Sequence, residues 1–245
     1  MTRALAWGVI PLKDPGSAKQ RLAGALSQEE REGLFRAMVR DVLAALHRAA
    51  LVGGVLLVTN DGQFGELGIQ LGMDVMTEPS NDGHTEAVNR GLHAIMARGI
   101  DTVFTMPGDI PTVSSAEIDQ LLSAHCPAHG PAPASIAAPI SADPPAVTIA
   151  PAGDELGTNG IVLSPPSAIR LRFGDNSFFL HLNSARAAGI EPTVVTLPGF
   201  ALDVDHPRDL KAFCATPTDT QAYYYLQSHG ILNRLNCSGF NPSGA

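Results

Sequence analysis

The chain alternates short, continuously apolar runs with longer amphipathic ones, and that rhythm leaves few folds open. Residues 5–10 (LAWGVI), 53–59 (GGVLLVT), 73–77 (MDVMT) and 101–106 (DTVFTM) read as strands. Unbroken apolar character marks strands covered on both faces, as in parallel sheets. Between the first two, Leu34, Met38, Val42 and Leu46 recur four apart. That spacing predicts a helix from Ser27 to Ala50, with Ser27 as N-cap and Glu30 in the capping-box position. Further helices are expected over 62–71, from Thr85 to Arg98, and from Ser114 or Ser115 to near His125. Strand–helix repetition of this kind builds an α/β fold with a mostly parallel sheet and helices on both faces.

The rhythm changes after residue 125. Residues 126–135 (CPAHGPAPAS) read as a surface loop rich in Pro and Ala. Short strands are expected near 135–139, 146–150 and 159–163. A helix from Ser177 to Ala188, a strand over 193–197 and a helix from Pro207 to Phe213 follow. With 245 residues, 44% of them apolar, one sizeable core can form. The expected division is a domain over 1–214 and an extension over 215–245. The latter is polar and rich in Ser, Asn, Pro and Tyr, and is read as partly ordered or packed on a partner.

Charge and cysteine content narrow the function classes. A net charge of −8 argues against general affinity for nucleic acid or anionic membrane, whose phosphates reward Lys and Arg. A small anionic ligand needs only a few well-placed cations. Cys126, Cys214 and Cys237 form neither a CxxC pair nor a zinc pattern, which fits a reducing cytoplasm. Residues 1–10 run straight into Pro11 and Lys13 and are not expected to act as a signal peptide, and no apolar run approaches the ~20 residues of a membrane helix.

Four constellations could carry chemistry. Directly after the first strand, Pro11 leads into Lys13, Lys19 and Arg21. Ligands of open α/β sheets bind at the carboxyl ends of strands, so these cations fall where a triphosphate could sit; the alternative is a solvated basic loop. No GxxxxGK[ST] is present, which excludes a P-loop. Asp109, in Met106-Pro107-Gly108-Asp109-Ile110-Pro111, follows another strand and could hold Mg²⁺, which favours one or two carboxylates plus phosphate oxygens; the alternative is a turn or cap aspartate. In Ala201-Leu202-Asp203-Val204-Asp205-His206-Pro207, an extended segment would turn both carboxylates to one side. Such a pair needs a cation, and with Asp109 it would make a two-metal site. Asp205 could also cap the helix starting at Pro207.

The fourth constellation joins Leu156-Gly157-Thr158-Asn159-Gly160 to Arg172-Phe173-Gly174-Asp175-Asn176-Ser177. The second turn opens a helix, whose free N–H groups favour an anion. His181, one helical turn beyond Ser177, could face the same pocket, although such a histidine is more often packed. Residues 79–85 (PSNDGHT) look like a nucleotide-facing loop, and turn chemistry explains them equally well.

Taken in order, VIPLKDPGSAKQRLAGALSQEEREGLFRAMVRDVL, GDIP, GTNGIVLSP, FGDNSFFLH and PGFALDVDHPRDL resemble the CofC/FbiD family of guanylyltransferases. These make the guanylylated precursor of the deazaflavin coenzyme F-420. The resemblance spans about residues 5 to 214. It implies a single Rossmann-like nucleotidyltransferase domain, GTP as co-substrate, Mg²⁺ and release of pyrophosphate. It further implies that Asp109, Asp203 and Asp205 hold metal. Thr158, Gly174 and Ser177 would bind a small phosphorylated carboxylic acid. Pro11, Lys13, Lys19 and Arg21, with Gly83 and Thr85, would engage the nucleotide; Lys19, Arg21 and Asp109 would be catalytic.

The chain departs from the family at Gly83-His84-Thr85-Glu86-Ala87, where members often carry Gly-Leu-Asn-Ala-Ala. That loop is expected near the nucleoside, so the departure bears on base choice. The partners implied are GTP and the acid, with neither nucleic acid nor membrane, and with a homodimer as a possible assembly. Competing readings are a nucleotidyltransferase using another NTP on a sugar phosphate or cofactor, a glycosyltransferase of similar fold, and a non-catalytic nucleotide-binding module.

Overall fold

Seven strands form one sheet: β1 (Ala6–Leu12), β2 (Val52–Thr59), β3 (Asp74–Met76), β4 (Val103–Thr105), β5 (Ala146–Pro151), β6 (Thr158–Ser164) and β7 (Thr193–Val194). The computed structural model describes residues 5–78, 83–125 and 144–235. Strand order is β3-β2-β1-β4-β6-β5-β7. β1 pairs in parallel with β2 and β4, and β2 with β3. β6 alone runs against its neighbours β4 and β5, while β7 lies parallel to β5. The sheet is therefore mostly parallel, as the apolar runs predict, with one reversed strand inside it.

That reversal positions chemistry. Thr105 of β4 pairs with Ile161 of β6. Because β6 is antiparallel, its first residues, Thr158 and Asn159, lie toward the same edge at which β1 and β4 end. The loops after β1 and β4 and the start of β6 thus share one rim.

Helices cover both faces. α1 (Gln28–Arg48) begins at the expected capping box of Ser27 and Glu30. α2 (Gly62–Gln70), α3 (His84–Met96), α4 (Ser115–Ala124) and α5 (Ser177–Ala187) also fall where periodicity places them. Alternation along the strands feeds two apolar layers. Ile10, Leu57, Phe104 and Val162 pack with Leu34, Met38 and Leu46 of α1 and Ile118 and Leu121 of α4. Val9, Val58, Val103 and Ile161 pack with Val88 and Leu92 of α3 and Phe178 of α5. Gly91 lets α3 lie close on the sheet: a Cβ there would stand 2.3 Å from Val9 Cγ1.

Four further helices complete the chain: α6 (Pro198–Ala201), α7 (Pro207–Ala215), α8 (Gln221–Ser228) and α9 (Ile231–Arg234). Residues 215–235 pack on α1 of their own chain. Ala222, Leu226 and Ile231 are fully buried in the same layer as Leu34 and Met38. Asp41 of α1 accepts from the backbone N–H groups of Gln221 and Ala222 at 2.8 and 2.9 Å. The Arg234 guanidinium pairs with Glu30. The polar composition of this stretch hides a short apolar stripe, Ala222 and Leu226 being one turn apart.

Cys214 is buried beside Phe213 in the layer that faces α1. The loop over 126–135, the strand expected near 135–139, Cys126, Cys237 and most of the 79–85 loop lie outside the described residues. Among the described residues no helix is long and apolar enough to cross a membrane.

Candidate active site

The loop after β1 carries Lys19 to the centre of the shared rim. Two 3₁₀ turns, Pro15–Ser17 and Gln20–Leu22, bracket it. Lys19 itself sits in the left-handed region, with φ 55° and ψ 33°, a conformation that costs a non-glycine residue free energy and persists only where its surroundings fix it. The side chain is 3% exposed. Its ammonium donates to Asp109 Oδ2 and lies 3.4 Å from Asp205 Oδ1. Arg21, mostly exposed, reaches Asp205 Oδ2 at 2.5 Å. Lys13 is exposed at the mouth of the same loop, and Pro11 stays within β1, buried and in register with Val58.

Asp203 and Asp205 come to the rim on a turn. Asp205 N–H donates to Asp203 O at 3.1 Å, and Val204 N–H donates to Asp109 O at 3.0 Å. The segment is therefore bent, and its two carboxylates find different partners, where a straight strand would turn them to one side. Asp203 Oδ1 accepts from Asn159 Nδ2 at 3.1 Å, and the same amide donates to Phe200 O at 2.8 Å. Asp205 faces Lys19 and Arg21. It does not cap α7: Asp209 Oδ2 takes the backbone N–H groups of His206 and Asp205. This leaves the Asp205 carboxylate free for the cations.

Three carboxylates, an ammonium and a guanidinium thus meet from the ends of β1, β4 and the α6–α7 connection. Burial acts to lower the Lys19 pKa, and the charges of Asp109 and Asp205 outweigh it and hold it above its ordinary value. Burial, followed by repulsion from Asp109, raises Asp203. Burial also acts to raise Asp205, but Lys19 and Arg21 prevail and hold it below the ordinary carboxylate range.

The donor chemistry fits a divalent cation, with one qualification of geometry. Asp109 Oδ1 is buried and has no hydrogen-bond partner, and Asp203 is close enough to Asp109 to feel its charge. Hard oxygen donors completed by phosphate oxygens are what Mg²⁺ prefers. Among the described residues no group of three acidic or imidazole side chains forms a ready cage, because Lys19 lies between Asp109 and Asp205. The ammonium supplies the positive charge that these carboxylates require.

The second half of the rim is built by β6 and α5. Thr158 N–H donates to Ser177 Oγ at 3.0 Å, and Thr158 Oγ1 lies 2.9 Å from His181 Nδ1. Gly174 has φ 119°, so the turn before α5 needs the freedom of glycine. The first N–H groups of α5 are not free: Ser177 N–H donates to Gly174 O and Phe178 N–H to Leu156 O. With those N–H groups engaged, the side-chain hydroxyls are the donors this turn could offer an anion. Phe173 stacks edge-on between His181 and His84, at centroid distances of 5.1 and 4.8 Å.

His84 links the two halves. Burial, then the Lys13 ammonium, push its pKa down to about 4, against an opposing pull from Asp109. Gly83 precedes α3 with φ 96°. Thr85 Oγ1 accepts from Phe173 N–H at 3.1 Å, so its hydroxyl braces the α5 turn. Sequence reasoning assigned no role to Asn159, although it stands beside Thr158 in the motif; the Asp203 contact joins positions 44 apart, which no local pattern reports. Glu117 completes the Ser114 capping box of α4, a local pattern, but its acceptance from Gly199 N–H at 2.6 Å joins positions 82 apart and is equally invisible to spacing.

The family model described as "Guanylyl transferase CofC like" matches residues 7–131 and 140–238. A 2-phospho-L-lactate guanylyltransferase of Methanothermobacter thermautotrophicus is 34% identical over 219 residues, covering 89% of this chain and 88% of that protein. A phosphoenolpyruvate guanylyltransferase of Sphaerobacter thermophilus is 32% identical over 203 residues, covering 83% and 89%. A solved structure from Desulfovibrio desulfuricans shares the fold with a TM-score of 0.70 at 18% identity, over 94% of this chain and 97% of that one. With the family model covering both halves of the rim, the chain belongs to the CofC-like guanylyl transferase family.

Proposed function

We propose that this chain transfers GMP from GTP to a small phosphorylated carboxylic acid, with release of pyrophosphate, as a step of deazaflavin coenzyme biosynthesis. The acid is 2-phospholactate, phosphoenolpyruvate or 3-phosphoglycerate. The observation that carries the reading is the meeting of Lys19 and Arg21 with Asp109, Asp203 and Asp205 across the rim from the Thr158–Ser177 pair. The names of the relatives support it, since proteins at 29–34% identity are guanylyltransferases for these three acids. A reducing cytoplasm suits a chain whose three cysteines form neither a CxxC pair nor a zinc pattern.

In the reaction, a phosphate oxygen of the acid attacks the α-phosphorus of GTP. A P–O bond forms as the bond between the α-phosphorus and the bridging oxygen breaks, and the electron pair leaves on that oxygen with pyrophosphate. The acceptor phosphate is ionised near neutral pH, so no general base is required. The work left to the protein is positioning and charge neutralisation. Asp109, Asp203 and Asp205 would hold Mg²⁺, which when bound offsets the negative charge of the phosphates. Lys19, Arg21 and Lys13 supply cations for the departing pyrophosphate, with Arg able to engage two oxygens at once. Thr158, Gly174 and Ser177 hold the acid.

The test incubates the protein with GTP, Mg²⁺ and each acid in turn, reading pyrophosphate and product mass. One acid should yield pyrophosphate and a product heavier by GMP. Absence of pyrophosphate with all three acids, or preference for CTP or ATP in a nucleotide panel, overturns the reading.

A further inference from the structure

The hydrogen-bond directions around Thr158 can be worked out from one fixed donor. Arg172 N–H can only donate, and it points at His181 Nε2 from 3.1 Å. The ring must therefore accept at Nε2, which puts the hydrogen of the neutral imidazole on Nδ1. Nδ1 lies 2.9 Å from Thr158 Oγ1, so His181 donates and the Thr158 hydroxyl accepts. A second direction follows in the same way, because Thr158 N–H can only donate to Ser177 Oγ at 3.0 Å.

Both hydroxyls are buried, Thr158 at 7% and Ser177 at 2% exposure, and His181 is fully buried. Each oxygen already accepts from a protein donor. Among the described residues neither hydroxyl hydrogen has an acceptor of its own. Hydroxyl hydrogens in that condition are available to donate to a ligand oxygen or to water. Burial pushes the His181 pKa down to about 4, in keeping with the neutral ring that the Arg172 contact requires.

We infer that His181 is a positioning residue for the acceptor acid: by donating to Thr158 it makes that hydroxyl a one-way donor, and with Ser177 it builds a paired donor site for an ionised carboxylate. A carboxylate is acceptor-only and satisfies both hydroxyls, whereas an amide in its place would turn an N–H toward a donor and leave it unpaired. The inference rests on the proposed role of Thr158 and Ser177 in holding the acid.

Two replacements separate this role from packing. In His181→Asn the side-chain amide nitrogen takes the place of Nδ1 and keeps a donor on Thr158. In His181→Gln the terminal amide oxygen takes the place of Nε2 and keeps an acceptor for Arg172, while the donor on Thr158 is lost. Packing alone ranks Gln above Asn, because its volume is nearer that of histidine; the donor role ranks them the other way. Phosphoenolpyruvate binding is titrated calorimetrically with Mg²⁺ and an α,β-methylene analogue of GTP present, and the analogue is titrated separately. The acid should bind about tenfold more weakly to His181→Gln and within about threefold of wild type to His181→Asn, with analogue affinity unchanged in both. Equal weakening in the two variants, a reversed order, or parallel loss of analogue affinity overturns the inference. Wild-type protein that binds the acid but releases no pyrophosphate from GTP refutes the proposed reaction, and the Asn–Gln order still decides the role of His181.

Discussion

Lys19 and Asp109, 90 positions apart in the chain, form a buried ion pair in which only one carboxylate oxygen is used. The ammonium takes Oδ2, while Oδ1 stays buried without a partner. A carboxylate that only held the fold together would satisfy both oxygens, since a buried unpaired acceptor costs about 1–3 kcal/mol. Asp203 is near enough for the charge of Asp109 to raise its pKa, after burial. On the proposed reading, the pair is a charge-balanced resting arrangement in which Oδ1 would be the oxygen offered to a cation.

Asp109→Asn should lower kcat by about 10²–10³ while changing the melting temperature little. The amide keeps an oxygen for Lys19 and the same shape, but it loses the charge needed to hold Mg²⁺ against phosphate. Steady-state kinetics and a thermal melt on the same preparation check this. Turnover at the wild-type rate would remove Asp109 from the chemistry.

Lys19→Met should destabilise the fold by about 3 kcal/mol, the low end for breaking a buried ion pair, because Asp109 and Asp205 keep some solvent contact. Without the ammonium, the two carboxylates lack a compensating charge. Added Mg²⁺ should then stabilise the variant more than it stabilises the wild type, since binding to the native state raises stability by linkage. Urea unfolding with and without Mg²⁺ reads both effects. An equal response of the two proteins would mean that the metal is held elsewhere.

How much of this was legible depends on the range of the interaction. The apolar runs at 53–59 and 101–106 foretell β2 and β4, and the Ser27/Glu30 box foretells the start of α1, because those signals are local. Strand direction is not local: residues 159–163 read the same in either sense, so the reversal of β6 comes only from its pairing with β4. Asp109, Asp203 and Asp205 can be assigned to one rim because α/β sheets collect ligands at strand ends. The insertion of Lys19 between them cannot, since a cation in a flexible loop has many partners within reach. The buried stripe of α8 escaped notice because two residues one turn apart in a polar stretch carry too little periodicity. The bent Asp203–Asp205 turn departs from the extended expectation because Val204 is tied to Asp109 O.

Asn159→Ala should cost about 1–3 kcal/mol, because it strips a donor from Phe200 O and from Asp203 at once. Loss of that anchor should also reduce kcat by about tenfold, as Asp203 is no longer held toward Asp109. Asn159→Asp should be worse in both respects, placing a further carboxylate against Asp203. Denaturant midpoints and kcat measured for the pair of variants test this ranking. A harmless Asn159→Asp would show that Asp203 does not depend on the amide.

Asp41 offers a pH test of how the last helices are held. Burial pushes its pKa up to about 6, against the lowering effect of the Ala222 and Gln221 N–H groups that it receives from α8. The native state therefore holds this proton more tightly than the unfolded chain, whose carboxyl titrates near 3.8. The contribution of Asp41 is fully present below about pH 4 and is lost as pH rises through about 6. His84 and His181, both pushed down to about 4, act in the opposite direction, so the wild-type curve alone does not isolate Asp41. The difference between wild type and Asp41→Asn does. The variant keeps an oxygen for the α8 N–H groups and carries no charge, so it should gain stability relative to wild type between pH 4 and pH 7. Asp41→Ala, which loses the cap altogether, should gain over the same range from a baseline about 1 kcal/mol lower. Urea midpoints for the three proteins across that range provide the measurement. A difference between wild type and Asp41→Asn that does not change with pH would place the ionised carboxylate in solvent and α8 in a looser seat on α1.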